Sequence, residues 1–165
     1  MAKDYRRPSE QDMELLMWHL IRSPEIIQAA LPVLKVESFT PIVEKIEQLL
    51  WAISSQYYQQ YRTVIPEQVM VSEIQKRTAG STQYDNAVVQ EIYCKVHKYF
   101  NAWANMPNCV QYVTDVLNAY LYFKQVYDEL EFHFKSGNTN PEMINAILEK
   151  SKAVEVATPL VVEPF

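Results

Sequence analysis

The stretch from Asn108 to Ala153 constrains this chain more than any other. Within it Val113, Leu117, Tyr120, Phe123, Tyr127, Leu130 and Phe134 recur three or four residues apart, at a mean spacing of 3.5. That is the period at which a helix keeps one seam turned toward another helix. The spacing predicts a first helix from about Asn108 to Ser136, ended by Gly137. A second is predicted from Asn140-Pro141 to about Val154, because proline is favoured at the first helical position. The first helix is also apolar off its seam, at Leu121 and Tyr122. The second offers Met143, Ile144, Ile147 and Leu148 on one face and is too short to cover its neighbour. The remaining apolar surface needs the body of the domain or another subunit. The candidate subunit-interface residues are therefore Val113, Leu117, Tyr120, Phe123, Tyr127, Leu130, Phe134, Ile144, Ile147 and Leu148.

The chain before this stretch reads as a series of helices. Pro8-Ser9 with Asp12 is a capping-box start, followed by an apolar face at Met13, Leu16, Met17 and Leu20 with Trp18 at its edge. Ser23-Pro24 starts a second helix carrying Ile26, Ile27, Ala30 and Leu31, which weakens at Pro32. Phe39, at the end of a short connector, is expected to plug the core. Thr40-Pro41 opens a long helix to Gln59 or Tyr61, with Ile42, Ile46, Leu49, Leu50, Ile53 and Tyr57 as its stripe. A fourth helix follows Ile65-Pro66 and runs to Arg77. A fifth is expected from Gln83 to Ala104, after the turn at Gly80 and before the break at Pro107.

Only two glycines occur in 165 residues, and hairpin-built folds need many positive-φ positions. The expected class is all-α: a multihelical globular domain (1–104), then a long antiparallel helical hairpin (105–154). The tail (155–165) is read as extended, a linker to an absent ATPase domain or a cut end.

Charge and motif content exclude several activities. The net charge is −5, and residues 128–165 hold seven acids against three bases, so this region repels phosphate. A phosphate-binding G-x-x-x-x-G-K-[ST] loop cannot be built from Gly80 and Gly137, so no ATPase site of that type is present and no ATP or Mg is expected to bind here. Cys94 and His97, with Cys109 further on, are too few for a metal site and read as a buried thiol and a surface histidine. Glu44 with Glu47, and Asp128 with Glu131, read as solvated carboxylates rather than an acid–base pair. Tyr57, Tyr58, Tyr61 and Arg62 could stack bases of single-stranded nucleic acid, but core edge or subunit interface is the commoner use of such a set. No membrane-length apolar run or signal-peptide core is seen, and a cytoplasmic protein is expected.

The order of these parts resembles the N-terminal region of DnaB-type replicative DNA helicases. Pro8-Ser9-x-x-Asp12-x-Glu14-Leu15-Leu16 is similar to that family's opening, and Arg22-Ser23-Pro24-Glu25 to its "D-P-E" helix start. Glu37-Ser38-Phe39 sits where the family has an acid followed by phenylalanine. Ile42-x-x-x-Ile46-x-x-Leu49 resembles "H-x-x-I-F-x-x-I", with Ile42 in place of the histidine. Ile65-Pro66 with Val69 resembles the "I-D-x-x-x-L" step. Pro107-Asn108-x-x-x-Tyr112-x-x-x-Val116 resembles the "N-x-x-x-Y-A-x-x-V" that opens the family's hairpin. Leu121-Tyr122-Phe123-Lys124 stands where the family has arginines, so no arginine contact carries over.

The resemblance spans about Pro8 to Val154. It implies a non-catalytic collar region that assembles subunits, as a dimer or as a ring that is a trimer of dimers. It also implies docking of primase or a helicase loader, and contact with DNA only through the full helicase. The alternative it leaves open is a free-standing helicase-binding protein, a loader or inhibitor with the same fold. A small helical enzyme with an unrecognised site is the third reading.

Overall fold

Both glycines stand one residue beyond a helix cap in the left-handed conformation, Gly80 at φ 70° and Gly137 at φ 78°. This is the helix-ending position that glycine fills without steric cost. A third helix ends the same way without one, because Arg62 takes φ 58° as its C-cap. The computed structural model describes residues 5–39, 44–103, 109–137 and 140–151. Every regular element among them is helical: α1 (Glu10–Arg22), α2 (Pro24–Ala30), a 3₁₀ turn (Val36–Ser38), α3 (Lys45–Tyr61), α4 (Glu67–Thr78), α5 (Asn86–His97) running on as a π turn (Lys98–Ala102), α6 (Val110–Lys135) and α7 (Pro141–Ser151). The all-α class is therefore observed. The expected cap at Thr40-Pro41 with Ile42, the break at Asn105–Asn108, the first four residues and the tail from 152 lie outside the described residues. Among the described residues no helix is long and apolar enough to cross a membrane.

The core is built around α1. Ser9 and Asp12 form the expected capping box, with Asp12 N–H donating to the Ser9 hydroxyl at 3.1 Å. Beyond that first turn α1 departs from a one-faced helix, because Leu16 to Ile21 are buried without interruption. It packs against α2, α3 and α6 at once, which leaves it no solvent face there. Trp18, expected at an edge, is buried, and its indole donates to the Trp103 carbonyl at 3.1 Å. Phe39 is fully buried as expected and lies against Tyr120, ring centres 5.5 Å apart. The Trp51 indole donates to the Leu34 carbonyl at 2.9 Å and fixes the turn between α2 and α3.

The fifth helix starts three residues later than its periodicity predicts, at Asn86, because the Asp85 carboxylate caps it and accepts from Val88 N–H at 2.8 Å. Its far end loosens into the π turn. There Arg22 donates to the Tyr99 carbonyl at 3.2 Å and lies over the Phe100 ring, and Lys98 pairs with Glu14 at 2.7 Å. These contacts tie the end of α5 to α1.

Burial and exposure set different mutational costs. Ile21 is fully enclosed, so Ile21→Ala is expected to cost roughly 2–5 kcal/mol in chemical denaturation. Lys76 belongs to a solvated pair with Glu73, so Lys76→Ala is expected to change stability by less than about 1 kcal/mol.

Candidate functional site

Two halves of α6 live in different surroundings. From Val110 to Leu121 the helix is enclosed by the body, and only Gln111, Tyr112 and Asp115 are exposed. Beyond Leu121 no α6 residue is buried. The Tyr120 hydroxyl marks the crossing point. It donates to the Glu44 carboxylate at 2.6 Å and lies 3.0 Å from the Ser38 carbonyl. Burial, with that carboxylate beside it, pushes the Tyr120 phenol far above its ordinary range.

The seam residues divide accordingly. Val113 and Leu117 are 0 % exposed and Tyr120 is buried with them, so their apolar surface is spent on this chain's own core. Phe123 and Leu130 are half-buried, while Tyr127 (61 % exposed) and Phe134 (49 %) stand in solvent. On α7, Ile147 is buried, and Ile144 and Leu148 are half-buried. α7 touches α6, and Lys150 pairs with Glu129 at 3.3 Å. The exposed part of the ten candidates thus centres on Tyr127 and Phe134. Phe132 was missed by the seam pattern and is the most exposed large apolar side chain described, at 65 %. Its signal was the apolar–polar alternation of Leu130, Phe132 and Phe134, which puts aromatics on two sides of a helix.

His19, far from Cys109 in sequence, meets it in space, with Nε2 3.9 Å from the thiol Sγ. Nδ1 lies 2.9 Å from the Leu15 carbonyl, which only accepts, so the neutral ring carries its proton on Nδ1. Burial lowers the His19 pKa and raises that of the Cys109 thiol. A nucleophilic cysteine needs the opposite, a thiolate favoured by its surroundings. Cys94, expected to be buried, is exposed. Among the described residues no group of three or more His, Cys, Asp or Glu is arranged to hold a metal ion.

Each candidate carboxylate has a partner. Glu44 accepts from Tyr120, Glu47 pairs with Lys95 at 3.1 Å, Asp128 with Lys124 at 3.2 Å and Glu131 with Lys135 at 2.8 Å. Tyr58 is withdrawn from the tyrosine set, buried and accepting from Gln28 at 2.6 Å. Tyr57 and Tyr61 contact each other with ring centres 4.6 Å apart. No family model, curated protein or solved structure matches the chain.

The buried His19 gives a pH dependence whose sign is fixed. Its folded pKa lies below the ordinary 6.5, so the unfolded chain binds the proton more readily. Its contribution to stability is complete above 6.5 and is lost as pH falls from there through the folded value. The urea midpoint is expected to drop between about pH 7.5 and about pH 5.5, and to drop less in His19→Gln. Equal pH slopes in the two proteins would show that His19 is not the group responsible.

Proposed function

We propose that this chain is a non-catalytic interaction module of the kind that forms the N-terminal region of DnaB-type replicative helicases. In this reading α6 and α7 form an antiparallel helical hairpin whose outer face assembles subunits, as a dimer or a larger ring, and the assembled collar receives primase or a loader. The observation that carries the reading is the division of the α6 seam. One continuous 3.5-residue pattern is consumed by the chain's own core as far as Tyr120, then continues into solvent as Tyr127 and Phe134. Exposed aromatics continuing a buried seam are what a helix presents when its distal half packs on something outside the chain.

The size of the face limits how it can work. A stable interface takes on the order of 800 Å² from each partner, and two half-exposed aromatic rings supply only part of that. The reading therefore includes the solvent flank of α7 and the half-buried Phe123, Leu130, Ile144 and Leu148. A two-fold axis through the hairpin would bring the same face of each copy together, which is how most homodimers close. The ion pairs along this part of α6, Lys124–Asp128 and Lys135–Glu131, lie within one helix and leave the aromatic stripe as the sticky element.

The double variant Tyr127→Asp with Phe134→Asp tests the reading. Both side chains are solvent-exposed, so the variant is expected to keep the parent's helical circular dichroism. Its mass by light scattering is expected to fall to that of a monomer. A folded double variant with the parent's oligomeric mass would place the interface elsewhere.

A further inference from the structure

His19 on α1 and Cys109 at the N-cap of α6 lie 90 residues apart in the chain and face each other where the two helices meet. The imidazole is fully enclosed, and its Nδ1–H is held by the Leu15 carbonyl. That bond fixes the tautomer and leaves the Nε2 lone pair turned toward Sγ. An imidazole oriented through its other nitrogen by a backbone carbonyl is the arrangement that metal-ligating histidines use.

The separation suits an ion between the two atoms. Sγ and Nε2 are 3.9 Å apart, near the outer limit for a hydrogen bond to sulfur. Metal bonds of about 2.3 Å to sulfur and about 2.0 Å to nitrogen span that gap at an angle of about 130°. A tetrahedral centre would draw the two atoms to about 3.5 Å. The wider angle fits an ion of low coordination number. Charge makes the same choice. Among the described residues no further His, Cys, Asp or Glu extends the pair to a site of three or more. One thiolate and one neutral imidazole balance a single positive charge. A divalent ion would keep a net positive charge beside the buried ring, which is costly without further ligands. Trp18 and Leu20 beside His19, and Val110 beside Cys109, are buried apolar residues. Burial disfavours a bare Cys109 thiolate, and a bound cation supplies the charge that the thiolate lacks. Cys109 is only partly buried, which gives an ion its way in.

We propose that His19 Nε2 and Cys109 Sγ form a two-coordinate site for a soft monovalent cation, Cu(I), at the junction of α1 and α6. On binding, the Cys109 S–H bond breaks and its proton leaves to solvent. Sγ and the Nε2 lone pair then each form one bond to the ion, whose oxidation state does not change. Thiolate and imidazole are the ligands that favour this ion over hard cations, which take carboxylate and carbonyl oxygens. The count that excludes a structural zinc site does not exclude this one, because zinc needs four ligands. The site lies in the enclosed half of the molecule and does not depend on the assembly reading: either can fail without the other.

The test is titration of the full chain with Cu(I), free of oxygen, against a chromophoric Cu(I) chelator. The chain carries Cys94→Ser, which removes the exposed thiol. One equivalent is expected to bind, and an equal concentration of Zn(II) is expected not to displace it. In the same background Cys109→Ser is expected to weaken binding roughly a hundredfold or more. His19→Gln is expected to weaken it about tenfold or more. Because His19 is fully buried, X-ray absorption of the loaded Cys94→Ser protein reads the ligands with that side chain in place. One sulfur and one imidazole nitrogen are expected around the copper. A shell of sulfur alone, no uptake, displacement by Zn(II), or unchanged affinity in Cys109→Ser would each overturn the proposal.

Discussion

The rest of the structure depends on the enclosure of α6 by α1 and its neighbours. Val113 and Leu117 are fully buried, and α1 beside them is buried from Leu16 to Ile21. Where these two helices meet, their close-packed side chains resist sliding, so the pair acts as one rigid unit. Beyond Leu121 no α6 residue is buried, and α7 packs against the helix. Tyr120 anchors the crossing point, its hydroxyl tied to Glu44 and Ser38 and its ring against Phe39. A helix anchored over its first half can hold exposed aromatics in fixed positions, which a free helix of the same sequence could not do.

Several polar side chains among the described residues hold elements of the fold together. Three buried side chains join separate elements: Trp51 to the Leu34 turn, Trp18 to the end of the π turn, and Tyr58 to α2. The ion pairs Lys95–Glu47 and Lys98–Glu14 do the same across helices at partly exposed positions, where such pairs add little stability but fix orientation. His19 and Cys109 meet in a partly buried contact.

Much of the fold was legible because helix ends are written locally. Ser9 with Asp12, Pro24, Pro66, Pro141 and the two glycines each mark a boundary through a geometric need of the backbone. The end of α3 at Tyr61 is as expected, although Arg62 after it takes a conformation usually left to glycine. The start of α5 differs, because Asp85 caps the helix and begins it at Asn86 rather than Gln83. The all-round burial of α1 was hidden because periodicity reports a helix's own pattern and not the number of neighbours around it. His19 shows this most clearly: a polar residue amid Trp18, Leu20 and Ile21 looks like a break in an apolar face, yet tertiary packing encloses it. The seam of α6 was legible as a pattern, but the place where it passes from core to solvent was not, since that depends on where the body of the domain stops.

The account's central claim is that the distal face of α6 is covered by another copy of this chain. Sedimentation equilibrium of the unaltered protein from roughly 1 to 100 μM tests it most directly, since an interface of ordinary size saturates within that range. The account predicts a mass that rises to at least twice the 19.3 kDa of the chain as concentration increases. A mass of 19.3 kDa at every concentration would contradict it.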